Sequence, residues 1–199
     1  MKLRDLMNED KMQRFGVARF NFASMSTDPH SIYQFSVLDE FGKTVSMDKY
    51  KGKVVVIVNV ASNCGYTKPN YTGLKLLSDQ YKSQGLEVAC FPCNQFKQQE
   101  PGTEAEIRKF IKDNYNFEPD LYKKIDVNGE HESPLYTFLK KEQGDSIVDA
   151  LKTMSLPSSD IKWNFTKFVC NRQGHPISRY PPAANPSEMT GDIEKCLKQ

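Results

Sequence analysis

The sequence lacks an apolar run long enough to cross a membrane and lacks a strong charge of one sign. Its longest run, 54–58 with Val60 and Ala61 beyond Asn59, is far below the roughly 20 residues that a bilayer requires. The 27 basic and 25 acidic residues leave a formal net charge of +2, and no basic run is interleaved with aromatic residues. We therefore expect no nucleic-acid partner, and 199 residues that are 38% apolar predict a single globular domain.

The cysteines lack the spacing of a disulfide framework. The chain has five cysteines, an odd number, and no apolar signal-peptide segment precedes them. This usage predicts a reducing compartment, and we expect a cytoplasmic location. Cys90 and Cys93 have Cys-x-x-Cys spacing, but there is no second pair for zinc and the pair precedes a loop. We interpret the pair as a strand end and expect no metal site.

Residues 1–28 differ from the rest of the chain. They mix four methionines with three arginines, and strand alternation starts only at Ile32. We predict an N-terminal extension at 1–28 and a folded domain at 29–199. A mitochondrial presequence is Arg-rich and poor in acidic residues, whereas Asp5, Glu9 and Asp10 dilute that pattern here. Mitochondrial targeting by the extension is the alternative to a cytoplasmic location.

Strand and helix patterns alternate from Ile32 to the end of the chain. The predicted elements are a hairpin over 32–46, a buried strand over 54–59, a helix from Tyr71 that ends at Gly85, a strand over 86–91, a helix opened by a capping box at 103–106, a third helix over 133–141, a closing hairpin over 165–180 and a last helix after Asn185. This order predicts an α/β thioredoxin-like fold, with helices flanking a central mixed sheet and an N-terminal β-hairpin.

Cys64 lies between the buried strand and the first predicted helix. A helix start offers unpaired main-chain N–H groups and the positive end of the helix dipole, and both favour a thiolate over a thiol. The fourth position of this turn is Thr67 rather than a second cysteine. No local partner can then close a disulfide, so an oxidised sulfur is resolved from elsewhere. The pattern predicts a nucleophilic, redox-active thiol.

Two further loops are expected at the same edge of the sheet as Cys64. The loop 94–102 is rich in glutamine, and the segment 162–165 carries the only tryptophan of the chain. The Gln99 amide, the Trp163 indole and the Asn164 amide would offer a thiolate neutral hydrogen-bond donors. Taken singly, Trp163 also fits a core aromatic residue and Gln99 a solvated loop residue.

Three segments together resemble the signatures of the glutathione peroxidases. They are 59–65 (NVASNCG), 91–102 (FPCNQFKQQEPG) and 163–168 (WNFTKF), in matching order within a resemblance that covers roughly 32–197. The resemblance implies that Cys64 is the peroxidatic residue and that Gln99, Trp163 and Asn164 complete a catalytic tetrad. It implies an antioxidant enzyme of the response to oxidative stress that reduces hydrogen peroxide, organic hydroperoxides and phospholipid hydroperoxides through a Cys64 sulfenic acid. Glutathione is then the reducing co-substrate, and no cofactor is expected.

The resemblance also indicates a branch of the family. Tetrameric members insert a long loop before the Trp-Asn-Phe signature, and the stretch 145–160 is too short to hold it. The chain therefore resembles the monomeric phospholipid-hydroperoxide branch, whose open site admits lipid hydroperoxides at a membrane surface. Lys162 and Arg179 match basic positions that imply contacts with glutathione carboxylates and anionic headgroups. Tyr66 stands where this branch usually has a lysine.

Cysteine at position 64 leaves alternatives open. Animal members of this branch usually have selenocysteine there, so Cys64 is either natural or a replacement. Cysteine-based members typically use thioredoxin and carry a resolving cysteine near the position of Lys112, whereas this chain has none between Cys93 and Cys170. A thioredoxin-dependent peroxidase with Cys93 as resolving thiol is one alternative. The other is a non-catalytic thioredoxin-like structural protein that is cross-linked through surface cysteines.

Overall fold

The fold centres on a five-stranded mixed sheet. A computed structural model describes residues 29–144 and 159–199. The strands are β1 (Ser36–Leu38), β2 (Thr44–Ser46), β3 (Val54–Val60), β4 (Leu86–Pro92), β5 (Asp120–Leu121), β6 (Lys167–Cys170) and β7 (Pro176–Tyr180). The sheet order is β5-β4-β3-β6-β7, with β3 parallel to β4 and antiparallel to β6. β1 and β2 form a separate antiparallel hairpin, as predicted.

Within residues 29–144 and 159–199, four α-helices cover the two faces of the sheet. They are α1 (Thr67–Tyr81), α2 (Glu104–Tyr115), α3 (Pro134–Glu142) and α4 (Thr190–Leu197). The capping box predicted for α2 is present, because the Thr103 and Glu106 side chains each bond the other residue's main-chain N–H. In the described part of the chain, no helix is both long and apolar enough to span a bilayer.

The core has two halves, one on each face of the sheet. All seven residues of β3 are buried and point alternately to the two faces. Val54, Val56, Val58 and Val60 face a cluster built with α1, α2 and α4, which we call the first core cluster. Val55 and Ile57 face the second core cluster, which includes side chains of α3. Burial on both faces explains why β3 is an uninterrupted apolar run rather than an alternating one.

The element predictions are largely confirmed, with differences at boundaries. The helix predicted from Tyr71 begins at Thr67, and the helix predicted after Asn185 starts with a 3₁₀ turn, Pro186–Met189, before α4. Ile32–Gln34 is a 3₁₀ turn rather than part of the hairpin. β5 has two residues, too few to show a period, and was not predicted. The predicted extension at 1–28 and most of the short connection at 145–160 lie outside the described residues.

Candidate active site

Cys64 lies in a tight turn that Thr67 fixes. The Cys64 N–H donates to Thr67 Oγ1 at 3.1 Å, and Thr67 Oγ1 donates to the Ala61 carbonyl at 2.7 Å. The Cys64 side chain is 8% exposed, and its Sγ accepts the Tyr66 main-chain N–H at 3.4 Å. Thr67 occupies the position of the second thiol in a Cys-x-x-Cys motif, and its hydroxyl holds the turn. The Cys64 sulfur accepts a hydrogen bond at the start of α1.

The loop after β4 brings Gln99 against this turn. The Asn63 N–H donates to the Gln99 carbonyl at 3.0 Å, and Asn164 Nδ2 donates to Gln99 Oε1 at 3.1 Å. Lys97 and Gln98, just before Gln99, have φ values of +53° and +52°. Two successive left-handed residues other than glycine are strained, and such strain concentrates at functional sites. The structure thus joins the Gln99 and Asn164 side chains directly.

Trp163 is partly buried and packs against both core clusters, including the cluster that contains Cys64. Its ring lies 5.6 Å from the Phe96 ring and 5.6 Å from Lys97 Nζ. Within residues 29–144 and 159–199, neither the Trp163 indole N–H nor Gln99 Nε2 donates a hydrogen bond, and the buried Asn164 Oδ1 accepts none. Two donors and one acceptor are therefore left for a ligand.

Asn59 is a site residue that the sequence reasoning missed. It is fully buried near the end of β3, and its Nδ2 donates to the Trp163 carbonyl at 3.2 Å. Its Oδ1 accepts the Thr166 N–H at 3.1 Å, and its carbonyl accepts the Phe165 N–H. Asn59 thus shapes the turn that presents Trp163 and Asn164. The available signal was a single amide inside an otherwise apolar strand.

Glu100 is a second residue that the sequence reasoning missed. It follows Gln99, is 1% exposed, and its Oε2 has no hydrogen-bond partner in the described part of the chain. Burial raises the pKa of this carboxyl to about 7, and the Lys124 charge offsets only part of that effect. The Glu100 N–H donates to Asn94 Oδ1 at 2.8 Å, which ties both ends of the loop together.

The two predicted basic residues lie in different surroundings. Lys162 is exposed, directly before Trp163. Arg179 is half-buried on β7, and its guanidinium donates to the carbonyls of Ser159 at 2.9 Å and Asp160 at 2.8 Å. The guanidinium also lies 5.7 Å from the Phe168 ring. Arg179 therefore contacts the chain that leads into Trp163.

The other four cysteines are buried and free. Cys93, the candidate resolving thiol, belongs to the second core cluster, whereas Cys64 belongs to the first. Burial raises the pKa of the Cys93 thiol to about 11, and burial also raises the pKa values of Cys90 and Cys170. None of these thiols has the accessible setting of a reactive cysteine. Among the described residues, no cluster of three or more His, Cys, Asp or Glu side chains is arranged to hold a metal ion.

Known proteins resemble this chain over most of its length. Glutathione peroxidase 1 of Caenorhabditis elegans is 51% identical over 167 residues, which cover 84% of this chain and 96% of the relative. A protein of Solanum lycopersicum named "Probable phospholipid hydroperoxide glutathione peroxidase" is 44% identical over 175 residues, covering 88% of this chain and 98% of the relative.

Solved structures agree with the thioredoxin-like fold. The crystal structure of T. cruzi GPX1 is 35% identical with a TM-score of 0.65, covering 84% of this chain and 97% of that one. A thioredoxin family thiol:disulfide interchange protein from Chlorobium tepidum shares only 14% identity but reaches a TM-score of 0.54, covering 85% of this chain and 97% of that one. This confirms the predicted fold. The family model of glutathione peroxidase matches residues 32–140, and with these relatives it shows that the chain belongs to the glutathione peroxidase family.

Proposed function

We propose that this chain is a thiol peroxidase in which Cys64 reduces hydrogen peroxide, organic hydroperoxides and phospholipid hydroperoxides, with glutathione as the reductant. The observation that carries the proposal is the combination of one thiol at a helix start and two side chains of the neighbouring loops, Gln99 and Trp163, whose N–H donors no described residue uses. A peroxide develops negative charge on its leaving oxygen during attack. Preorganised neutral donors suit that charge.

In the first half-reaction, the Cys64 thiolate attacks the terminal peroxide oxygen. An S–O bond forms, the O–O bond breaks, and the leaving oxygen takes a proton to become water or an alcohol. The sulfur is oxidised to a sulfenic acid. Gln99, Trp163 and Asn164 position the peroxide and stabilise the leaving oxygen.

In the second half-reaction, two molecules of glutathione restore the thiolate. The first condenses with the sulfenic acid, releasing water and forming a mixed disulfide. The second attacks that disulfide, so that oxidised glutathione leaves and the Cys64 thiol is recovered. Lys162 and Arg179 attract the glutathione carboxylates in this step. The cycle needs no cofactor.

The finer features of the proposal follow the phospholipid-hydroperoxide branch. We propose a monomer that acts on lipid hydroperoxides at a membrane surface as well as on small peroxides. The Solanum lycopersicum relative, whose name carries that substrate, supports this assignment. A cytoplasmic location, with mitochondrial import through residues 1–28 as the alternative, stays a prediction.

The two alternatives each meet a specific obstacle. A thioredoxin-dependent enzyme with Cys93 as resolving thiol requires Cys64 and Cys93 to meet, although they belong to different core clusters. A structural protein cross-linked through surface cysteines requires exposed thiols, although all five are buried. Both alternatives would need the structure to rearrange around the thiols.

The test compares glutathione with thioredoxin as reductant, using hydrogen peroxide and a phospholipid hydroperoxide. We expect turnover with glutathione and loss of turnover in Cys64→Ser, because an alcohol is hardly ionised near neutral pH. Residual peroxidase activity in that variant would overturn the role of Cys64. Peptide mass spectrometry after peroxide treatment separates the rivals: a Cys64–Cys93 disulfide would favour thioredoxin, and inactivity with both reductants would favour the structural protein.

A further inference from the structure

A buried lysine lies below the start of α1. Lys167, the first residue of β6, is 0% exposed, and its Nζ donates to Asn70 Oδ1 at 2.8 Å, Ala184 O at 2.7 Å and Pro182 O at 3.4 Å. All three acceptors are neutral, and in the described part of the chain no carboxylate oxygen lies within 4 Å of this Nζ. Burying a charge without an anion costs free energy, so the position calls for a reason.

The lysine fixes the orientation of the Asn70 amide. An ammonium group only donates, so Asn70 must turn its oxygen toward Lys167 and its NH₂ group away. That NH₂ group donates to the Tyr66 carbonyl at 2.9 Å and to the Pro182 carbonyl at 3.4 Å. Tyr66 is the residue at the start of α1 whose own N–H donates to Cys64 Sγ at 3.4 Å. A chain of contacts therefore runs from Lys167 through Asn70 and Tyr66 to the sulfur.

At this helix start Thr67 holds the Cys64 side of the turn, with its hydroxyl on the Cys64 N–H and its own N–H on the Cys64 carbonyl at 3.0 Å. Tyr66 makes no side-chain capping bond and is 38% exposed, so its carbonyl is held from the first turn of α1. The Asn70 N–H also donates to the Tyr66 carbonyl, at 3.2 Å. Asn70 thus holds Tyr66 with both its main chain and its side chain.

The charged surroundings of Lys167 do not compete with this arrangement. Burial lowers the pKa of Lys167 to about 8, and Glu188 in the 3₁₀ turn before α4 is the carboxylate that partly opposes the shift. Tyr180, the neighbour of Lys167 across the β6–β7 pair, donates its hydroxyl hydrogen to Asp192 at 2.7 Å. Near neutral pH the ammonium form is therefore retained, directed at Asn70.

We propose that Lys167 is a positioning residue for Cys64: through Asn70 it holds Tyr66 so that the Tyr66 N–H stays directed at the sulfur in its thiolate form. The proposal rests on the proposed peroxidase function only in naming Cys64 as the reactive thiol. Without the ammonium group, the Asn70 oxygen loses its donor and only the two carbonyls that accept from its NH₂ group hold the amide, so the donor to the thiolate is less firmly fixed.

The test measures alkylation of Cys64 by iodoacetamide across a pH series, without peroxide, by peptide mass spectrometry. Lys167→Met removes the charge at nearly constant chain length, and Asn70→Leu removes the amide at similar size. In both variants we expect the pH midpoint of Cys64 alkylation to rise by about 1 unit and the rate at pH 7 to fall by up to about tenfold. Urea unfolding identifies which variants are folded, and if Lys167→Met does not fold, Asn70→Leu decides.

Lys75→Met is the matched control. It removes one positive charge from α1 at a residue that pairs with Asp79 and, in the described part of the chain, forms no hydrogen bond or ion pair with Lys167, Asn70 or Tyr66. We expect a wild-type midpoint for this control. Wild-type midpoints in folded Lys167→Met and Asn70→Leu would overturn the proposal, and so would an equal rise in the control. Peroxidase turnover of the wild type is assayed separately, so failure of the peroxidase function is distinguishable from failure of the proposed role of Lys167.

Discussion

At the residue scale, the neighbours of Cys64 differ in what they can do. Tyr66 meets the thiol through its main-chain N–H, and the Thr67 hydroxyl holds the Cys64 main chain, whereas Gln99 and Trp163 carry donors that no described residue uses. Asn164 orients Gln99 by donating to its side-chain oxygen at 3.1 Å, which leaves the Gln99 NH₂ group directed elsewhere. The arrangement separates groups that hold the thiol from groups that meet the peroxide.

We expect Gln99→Ala and Trp163→Phe each to slow oxidation of Cys64 by about a hundredfold, because each removes one directed N–H donor. The phenylalanine variant keeps an aromatic ring against Phe96, so packing is largely preserved. Stopped-flow measurement of single-turnover oxidation by hydrogen peroxide gives the rate directly. Wild-type rates in both folded variants would show that these side chains are only structural.

At the element scale, the reactive thiol lies just before α1, so the packing of α1 against the rest of the molecule positions it. Its buried face, Tyr71, Leu74, Leu77 and Tyr81, was predictable from helical spacing, whereas its start at Thr67 was not. The first turn lacks an ordinary cap and depends on Asn70 and Lys167, which come together only in the fold. Periodicity therefore indicates which face is buried but not where this helix begins.

Gly73 shows how closely α1 approaches the 3₁₀ turn before α4. A Cβ added there would lie 2.8 Å from Pro186 Cγ. Although alanine favours helix, we expect Gly73→Ala to lower the free energy of unfolding by roughly 1–3 kcal/mol through overpacking. Urea unfolding measures this change.

Gly191 in α4 is the control for that substitution, because nothing lies within 4 Å of an added Cβ. We expect Gly191→Ala to raise the free energy of unfolding by up to about 1 kcal/mol from helix propensity alone. If both variants shifted stability in the same direction, the close approach at Gly73 would not restrict side-chain size.

At the scale of the whole molecule, three distant chain segments meet at one edge of the sheet. The turn after β3, the loop after β4 and the segment before β6 come together because β4 is parallel and β6 antiparallel to β3. That meeting was predictable from the order of strands and motifs. The burial of Lys167 and Glu100 was not, because composition places charged residues at the surface and only the tertiary packing encloses them.

Glu100 gives the molecule a pH-dependent stability. Its pKa rises from 4.5 to about 7 on folding because burial disfavours the carboxylate. Between these two values the folded state retains a proton that the unfolded state has released, so the free energy of unfolding falls as pH rises through this range. A pKa difference of this size corresponds to on the order of 3 kcal/mol.

We therefore expect Glu100→Gln to remove that fall, which urea unfolding at a series of pH values would detect. Glu106→Gln is the control, because hydrogen bonds from Thr103 lower the pKa of Glu106 and give its contribution the opposite sign. Glu106→Gln, which keeps Glu100, should still lose stability as the pH rises from about 4.5 to 7. The expectation would be contradicted if the difference in free energy of unfolding between wild type and Glu100→Gln did not change with pH over this range.

The charge at Lys162 acts beyond its own contacts, through the field around the site. Because it is exposed beside Trp163, we expect Lys162→Glu to raise the glutathione concentration needed for half-saturation by up to about tenfold at low salt. The Debye length falls from about 30 Å at 0.01 M salt to about 8 Å at 0.15 M, so the difference from wild type should shrink with added salt. Single-turnover reduction of oxidised Cys64 by glutathione measures it.

Lys195→Glu is the matched charge reversal for this experiment. Lys195 is exposed near the end of α4. This end of α4 lies close to the starts of β3 and β4, because Arg172 donates to the Leu197 carbonyl and also to the carbonyls of Gly52 and Gln84. Lys195 therefore lies at the edge of the sheet opposite to the site, and Lys195→Glu should leave the glutathione step close to wild type. Oxidation by hydrogen peroxide should change little in either variant, since a small neutral peroxide feels little of the field. Equal salt sensitivity of both half-reactions, or equal effects of the two reversals, would show that Lys162 is ordinary solvated surface.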